Sequence, residues 1–298
     1  MQYAMPFAFD DHSSPSTASV GATSPETVEA GGLAYRAFDT PEDAAACVAL
    51  QSEIWGAAFA DQVPASLLRV ATSIGGLAIG AFDRDGALVG FVFSLAGVRN
   101  GEPIHWSHML AVRESARGAG VGRHLKEMQR AELARRGIAR VLWTFDPLQA
   151  RNAHLNVNRL GVRVIDYVEN MYGITGSPLH HGLATDRLVV MLPTSPTAAA
   201  RPAPPAAMNG GVPVLTPFPR AGDLTIDLDD TAAPVVMIEI PSDLQRVVAA
   251  TPPVAATWRL ATRGSFLRAL RGGYQVVALR RDLATDRAFY VLVASERP

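Results

Sequence analysis

Residues 112–123 read Val-Arg-Glu-Ser-Ala-Arg-Gly-Ala-Gly-Val-Gly-Arg, and this stretch decides the fold. Before it lies an extended apolar run, Trp106 to Val112. After it, Val121, Leu125, Met128 and Ala131 recur at helical spacing. The order is strand, short glycine-bearing turn, helix. A helix start leaves about four backbone N–H groups without internal partners, at the positive end of the helix dipole. Gly118, Gly120 and Gly122 put no Cβ in the way, so an anion can come close to the backbone. Arg117 and Arg123 add positive charge beside it. These features predict a pyrophosphate-binding turn. The plain alternative is a helix start that binds nothing. The stretch fits neither G-x-x-x-x-G-K-S/T nor G-x-G-x-x-G. A dinucleotide loop also wants an acid about 20 residues on, at a strand end. Here Glu127 and Glu132 fall inside the helix.

Working outward, Leu33 to Phe38 alternates like a strand. Thr40-Pro41-Glu42-Asp43 starts a helix that runs to about Trp55, with Thr40 as N-cap and proline at the first position. A second helix begins at Pro64. Gly75 to Phe82 and Ala87 to Leu95 form a hairpin around Asp83-Arg84-Asp85-Gly86. Ile104 to Val112 is the strand before the turn. Arg135-Arg136-Gly137 ends the helix after it. A strand follows at Ile138 to Phe145, then Asp146-Pro147-Leu148, then a helix from about Ala150 to Leu160 closed by Gly161. Val162 to Val168 and Arg187 to Leu192 complete this set. Residues 1–31, rich in Ser, Thr, Ala, Pro and Gly, read as a mobile leader, and 32–193 as the main domain. Residues 194–219 read as a Pro/Ala-rich linker. Residues 220–298 make a smaller α/β unit. It has a strand at Pro234–Ile240, helical stretches at Asp243–Ala250 and Val254–Leu270, and strands at Gly273–Arg280 and Ala288–Ala294.

Of the 298 residues, 48% are apolar, ample for a core, and the net charge of −1 argues against nucleic-acid and membrane-surface partners. The single cysteine, Cys47, excludes an internal disulfide; in its Ala-rich run it reads as a small core residue. No apolar run approaches the ~18 residues of a membrane span. The N-terminus lacks an export signal, so a cytoplasmic location is expected. His180 and His181 have no third ligand at metal spacing, so no metal is expected.

Arg117-Gly-Ala-Gly-Val-Gly122 fits R/Q-x-x-G-x-G/A and resembles the signature turn of the GNAT acetyltransferase superfamily. Leu110-Ala111-Val112 looks like the end of that family's central strand. The element order over residues 33–193, β-α-α-β-β-β-α-β-α-β-β, is also that of the family's fold. The resemblance implies an α/β (α+β) fold with a mixed, centrally splayed sheet flanked by helices. It implies that Leu110, Ala111, Val112, Arg117, Gly118, Ala119, Gly120, Val121, Gly122 and Arg123 hold the pyrophosphate end of acetyl-CoA or another acyl-CoA. Asn152 would touch the pantetheine arm, or be a polar residue at a helix start. The family often shows N-x-x-A-x-x-x-Y-x-x-x-G-F in its last helix. Ala153, Leu160 and Gly161 fit, and Val157 stands where the tyrosine that protonates the thiolate would be. The run Phe266-x-x-x-Leu270-x-x-x-Tyr274 echoes the helix-to-strand corner at Leu160-Gly161. The tail therefore resembles a degenerate GNAT half, without a phosphate-binding turn of its own, packed on the first domain.

Acyl transfer to an amine needs a base for the ammonium, donors for the oxyanion and a proton for the thiolate. His108-Met-Leu-Ala-Val112 looks like the H-x-L-A-V of arylalkylamine N-acetyltransferases, where the histidine helps deprotonate the amine. The other reading of His108 is a hydrogen-bonded core histidine; His105 lies on the opposite strand face. Backbone near Met109 to Ala111 would hold the acyl carbonyl. Asp146, at a strand end, would bind the acceptor's ammonium or act as base, or simply serve an Asp-Pro turn. Tyr172 would replace the missing acid, or pack as an aromatic. Asp186-Arg187 would clamp a carboxylate or form a surface pair. The expected activity is direct transfer of an acetyl or other short acyl group to a small-molecule amine or amino acid, with no acyl-enzyme; a homodimer is compatible with it. The alternatives are a non-catalytic acyl-CoA-binding protein of GNAT fold and a protein N-terminal acetyltransferase.

Overall fold

The computed structural model describes residues 27–57, 59–173, 182–195, 211–226, 228 and 233–295. Most of the expected leader, His180, His181 and residues 196–210 of the expected linker lie outside the described residues.

The chain begins with β1 (Val28–Ala30), β2 (Leu33–Ala37) and α1 (Pro41–Trp55). Local chemistry fixes the start of α1. The Thr40 hydroxyl accepts from Asp43 N–H, and the Asp43 carboxylate accepts from the N–H groups of Thr40 and Asp39. Arg36 on β2 donates two bonds to the same carboxylate, at 2.7 and 2.8 Å. Burial alone would raise the Asp43 pKa, but these bonds outweigh it and hold it at about 2. A carboxyl whose folded pKa is depressed stabilises the fold above its unfolded value, and that stability is lost as pH falls. Asp43→Asn should therefore lower stability by about 1–2 kcal/mol at pH 7, and flatten the loss between about pH 4 and 2; urea titrations across that range measure both.

Next come α2 (Ala65–Ser73), β3 (Leu77–Phe82), β4 (Leu88–Arg99) and β5 (Glu102–Val112). The expected hairpin forms, with Asp83 accepting from the N–H groups of Asp85 and Ala87. Strand β4 runs on to Arg99 rather than stopping at Leu95, because it stays paired with β5 as far as Arg99 opposite Glu102. Helix α3 (Val121–Arg135) leads to β6 (Arg140–Phe145), α4 (Ala150–Ala153), β7 (Arg163–Val168) and β8 (Arg187–Pro193). The helix expected to reach Leu160 is α-helical only to Ala153 and continues as a wider π-turn over His154–Leu160. The Asn156 side-chain amide donates to the Asn152 carbonyl, the acceptor a regular turn would use for the Asn156 backbone. Gly161, at φ 69°, closes it.

These strands form one sheet in the order β1-β2-β3-β4-β5-β6-β8-β7. Helices α1 and α2 cover one face against Phe82, Phe91, Phe93, Met109 and Ala111. Helix α3 covers the other, with Leu125 and Leu133 against Ile79, Val92, Val141 and Trp143.

The tail comprises β9 (Val214–Leu215), β10 (Val235–Pro241), α5 (Leu244–Ala250), α6 (Pro252–Arg271), β11 (Tyr274–Asp282) and β12 (Arg287–Ala294). Strand β9 lies within the stretch expected as linker. The second sheet has the order β11-β12-β10-β9. Strand, helix, strand, strand, with the last strand in the middle, is also the topology of β6-α4-β7-β8. The tail thus repeats the second arm of the first sheet. The two arms pack reciprocally: α6 lies on β7, and the π-turn lies on β11. One apolar core runs through both, from Trp143 and Leu188 to Phe266 and Tyr290.

Candidate functional site: a fork in the sheet

Strand β5 is fully laddered to β4 on one side but meets β6 at only two positions, His105 opposite Val141 and Trp106 opposite Leu142. Beyond that closing pair the strands part. Residues 107–112 of β5 then carry a backbone edge turned toward the gap rather than toward a partner strand. The site is this fork, with the turn before α3 at its open end.

At that end the chain turns through a short 3₁₀ segment, Glu114–Ala116, and enters α3 at Gly120. Gly118 and Gly120 sit at φ 87° and 82°, conformations that residues with a Cβ rarely adopt. A Cβ at either would meet nothing within 4 Å, so the space before α3 is open. Gly122 differs: its φ is ordinary, and a Cβ there would rest on Val112 and Leu110 at 3.6 and 3.7 Å. No side chain caps α3, which leaves its first N–H groups facing the turn. Both arginines are exposed, but neither is idle. Arg117 donates to the Val112 carbonyl at 3.0 Å, bracing the turn, and Arg123 pairs with Glu127 at 2.7 Å. Ala119 is exposed, Val121 is buried under the helix start, and Leu110 and Val112 line the α3 face of the fork.

His108 stands midway along β5. Phe93 faces Met109 and Ser94 faces Ser107, so His108 is the extra residue of a β-bulge. The bulge turns its ring onto the α1/α2 face, edge-on to Phe93 at 6.3 Å. Its surroundings desolvate the imidazolium and lower its pKa, against a smaller opposing pull from Asp61. The shift favours the neutral imidazole over the imidazolium. His105 points the other way, is buried, and shares a hydrogen bond with Ser94 at 3.0 Å.

On the β6 side, Trp143 and Phe145 face α3, so Thr144 between them faces the same side as His108. The Tyr172 hydroxyl lies 3.1 Å from Thr144 Oγ1, and the Arg187 guanidinium lies over the Tyr172 ring at 5.2 Å. His108 on β5 and Tyr172, held against β6 from the turn after β7, thus stand on the same face of the sheet. Val157, at the position of the family tyrosine, is fully buried.

Asp146 does not face this space. Its carboxylate takes two bonds from Arg259 of α6, at 2.8 and 2.7 Å, and one from Leu148 N–H. Both residues are buried. The carboxylate expected to meet an acceptor is instead occupied, and its place in the structure is the seam between the two sheets. Asp186 likewise accepts from Tyr167, Asn170 N–H and Arg263 of α6, rather than from its neighbour Arg187. Asn152 is exposed, and its side-chain oxygen accepts from Asn156, whose own oxygen holds the Trp143 indole N–H. Sequence reading passed over Lys126, a buried amine at the closed end of the fork. Its signal was position: it adjoins Leu125 on the sheet-facing arc of α3.

Cys47 is buried, and burial pushes its thiol up to about 12, so it is inert as a nucleophile. Among the described residues, no helix is long and apolar enough to cross a membrane, and no group of three His, Cys, Asp or Glu residues could hold a metal.

No curated protein matches the chain. Solved structures similar to it include the ribosomal-protein-S18-alanine N-acetyltransferase from Escherichia coli (19% identity, 55% of this chain and 94% of that one, TM-score 0.42). A GNAT-family acetyltransferase from Streptococcus pneumoniae is similar over 54% of this chain and 99% of that one (20% identity, TM-score 0.44). A GNAT-family N-acetyltransferase from Escherichia coli in complex with CoA covers 57% and 86% (21% identity, TM-score 0.38). Likeness at this level says nothing of substrate. The model of the acetyltransferase (GNAT) family matches residues 45–161, which span the fork, the bulge and the glycine turn. The chain thus carries a GNAT acetyltransferase domain, extended by a second, smaller sheet.

Proposed function

We propose that the protein transfers a short acyl group from acyl-CoA to the amine of a small molecule, directly and without an acyl-enzyme. One observation carries this reading: the unpartnered edge of β5 leads straight to the uncapped start of α3. Uncapped N–H groups suit a pyrophosphate, and the strand edge offers donors to an extended amide-bearing arm and to the acyl oxyanion. Neutral His108 takes the proton of the attacking ammonium. Tyr172, across the fork, returns a proton to the leaving thiolate in place of the absent helix tyrosine. Asp146 and Arg259 act indirectly, by fixing the end of β6. Arg263 pins both Asp186 and Glu169 beside the β7–β8 connection, which favours a walled acceptor site and hence a small amine or amino acid.

The test is thiol release from acetyl-CoA with a panel of small amines and of peptides. His108→Ala should lower kcat about 100-fold or more while CoA still binds. The base must be neutral to work, and its pKa is lowered. The wild-type kcat/KM should therefore hold through neutral pH and fall only below the ordinary histidine value of about 6.5. Binding of CoA with no thiol release from any amine would favour a non-catalytic carrier. Release with peptide N-termini alone would favour protein acetylation.

A further inference from the structure

The closed end of the fork is floored by polar groups that lack a counter-charge. Ser107 and Trp143 are the first residues past the closing pair, and Lys126 reaches between them from α3. Its Nζ donates to Ser107 Oγ at 2.7 Å and to Gln129 Oε1 at 3.3 Å, and lies 3.7 Å from the centre of the Trp143 ring. Lys126 is 3% exposed, Ser107 5% and Gln129 0%. Among the described residues, no carboxylate is a partner of Lys126. Gln129 Nε2 is buried and has no acceptor among the described residues.

Such a floor is costly as it stands. Desolvation holds the Lys126 amine well below its ordinary pKa. A buried amide donor without an acceptor is itself destabilising. A methyl group brought to the vertex leaves both deficits in place. A carboxylate at the vertex would supply the charge that lets Lys126 take up a proton and pair, and it is the kind of acceptor Gln129 Nε2 lacks.

This step rests on the acyl-CoA reading above. With the pyrophosphate at the start of α3 and the arm along β5, the acyl end points to the vertex. We propose that Lys126, Gln129 and Ser107 select an acyl donor whose chain ends in a carboxylate, a dicarboxylic monothioester of CoA. The reaction is otherwise unchanged: the thioester C–S bond breaks, the amide C–N bond forms, and the distal carboxylate stays free.

The test compares kcat/KM for succinyl-CoA and acetyl-CoA with the same amine. The wild type should favour succinyl-CoA by about tenfold or more. Lys126→Met keeps the unbranched stem and removes the amine, and should cut that ratio by at least about tenfold; Gln129→Leu should move it the same way and carries the test if the first variant does not fold. A wild type that uses the two donors equally or prefers acetyl-CoA, or a ratio unmoved by the variants, overturns the inference. Calorimetry with free CoA separates the two levels. If CoA binds and the ratio fails, only the carboxylate selection falls. If CoA does not bind, the acyl-CoA reading falls with it.

Discussion

Gly120→Val should weaken binding of free CoA by about 100-fold or more, measured by calorimetric titration. Two effects add. At φ 82° a β-branched residue is strained, so the turn must rearrange. The valine side chain also enters the open space before α3, where the phosphates are expected to sit. A hydrogen bond from N–H to a charged oxygen is worth about 1.5–3 kcal/mol, so losing one or two accounts for the predicted factor. Gly122→Ala is the matched control. Its Cβ would make ordinary contacts with Val112 and Leu110, at an unstrained φ, and should change affinity only a few-fold. If Gly120→Val binds CoA as well as the wild type does, the turn is not the anion site.

The second large effect is expected at the seam. Arg259→Ala should destabilise the chain by about 3–5 kcal/mol, because it strands the Asp146 carboxylate in a buried site. Trp143 reports on the first sheet and Trp258, beside Arg259 on α6, on the second. Since one core runs through both, urea unfolding should show a single transition whichever tryptophan is kept as the probe. Replacing both partners with Asp146→Ala and Arg259→Met should restore much of the loss, since no charge is then left buried. Two separate transitions in the wild type, or a loss under 1 kcal/mol on removing Arg259, would contradict this account.

Some of this was legible in the sequence and some was not, for physical reasons. The start of α1 was readable because Thr40, Pro41 and Asp43 act within one turn. The glycine turn was readable because Gly118 and Gly120 state a backbone conformation directly. His108 was readable as a candidate by its neighbours, but not as the extra residue of a bulge, since a bulge is defined by the strand opposite. The partner of Asp146 lies 113 residues away. The sequence around Asp146-Pro147 describes a turn equally well with or without it. Lys126 looked like any polar residue of an amphipathic helix. Only the parting of β5 and β6 above it turns a helix lysine into the floor of a cleft. The expected 194–219 linker hid β9, because two residues paired to β10 carry no period of their own.

The reciprocal packing of the two arms has an evolutionary reading. A β-α-β-β arm that shelters its own copy is what two separate subunits would do by trading edges; here one chain supplies both copies. The glycine turn lies ahead of both arms, at the start of α3, so what the arms share is shape and not the anion site. Substitution at the seam then falls on Asp146 and Arg259 as a pair, and on Asn158 alone, whose side-chain amide holds both backbone groups of Leu279 whatever side chain stands there. Cut into two polypeptides, the halves would behave as obligate mates, each the missing wall of the other.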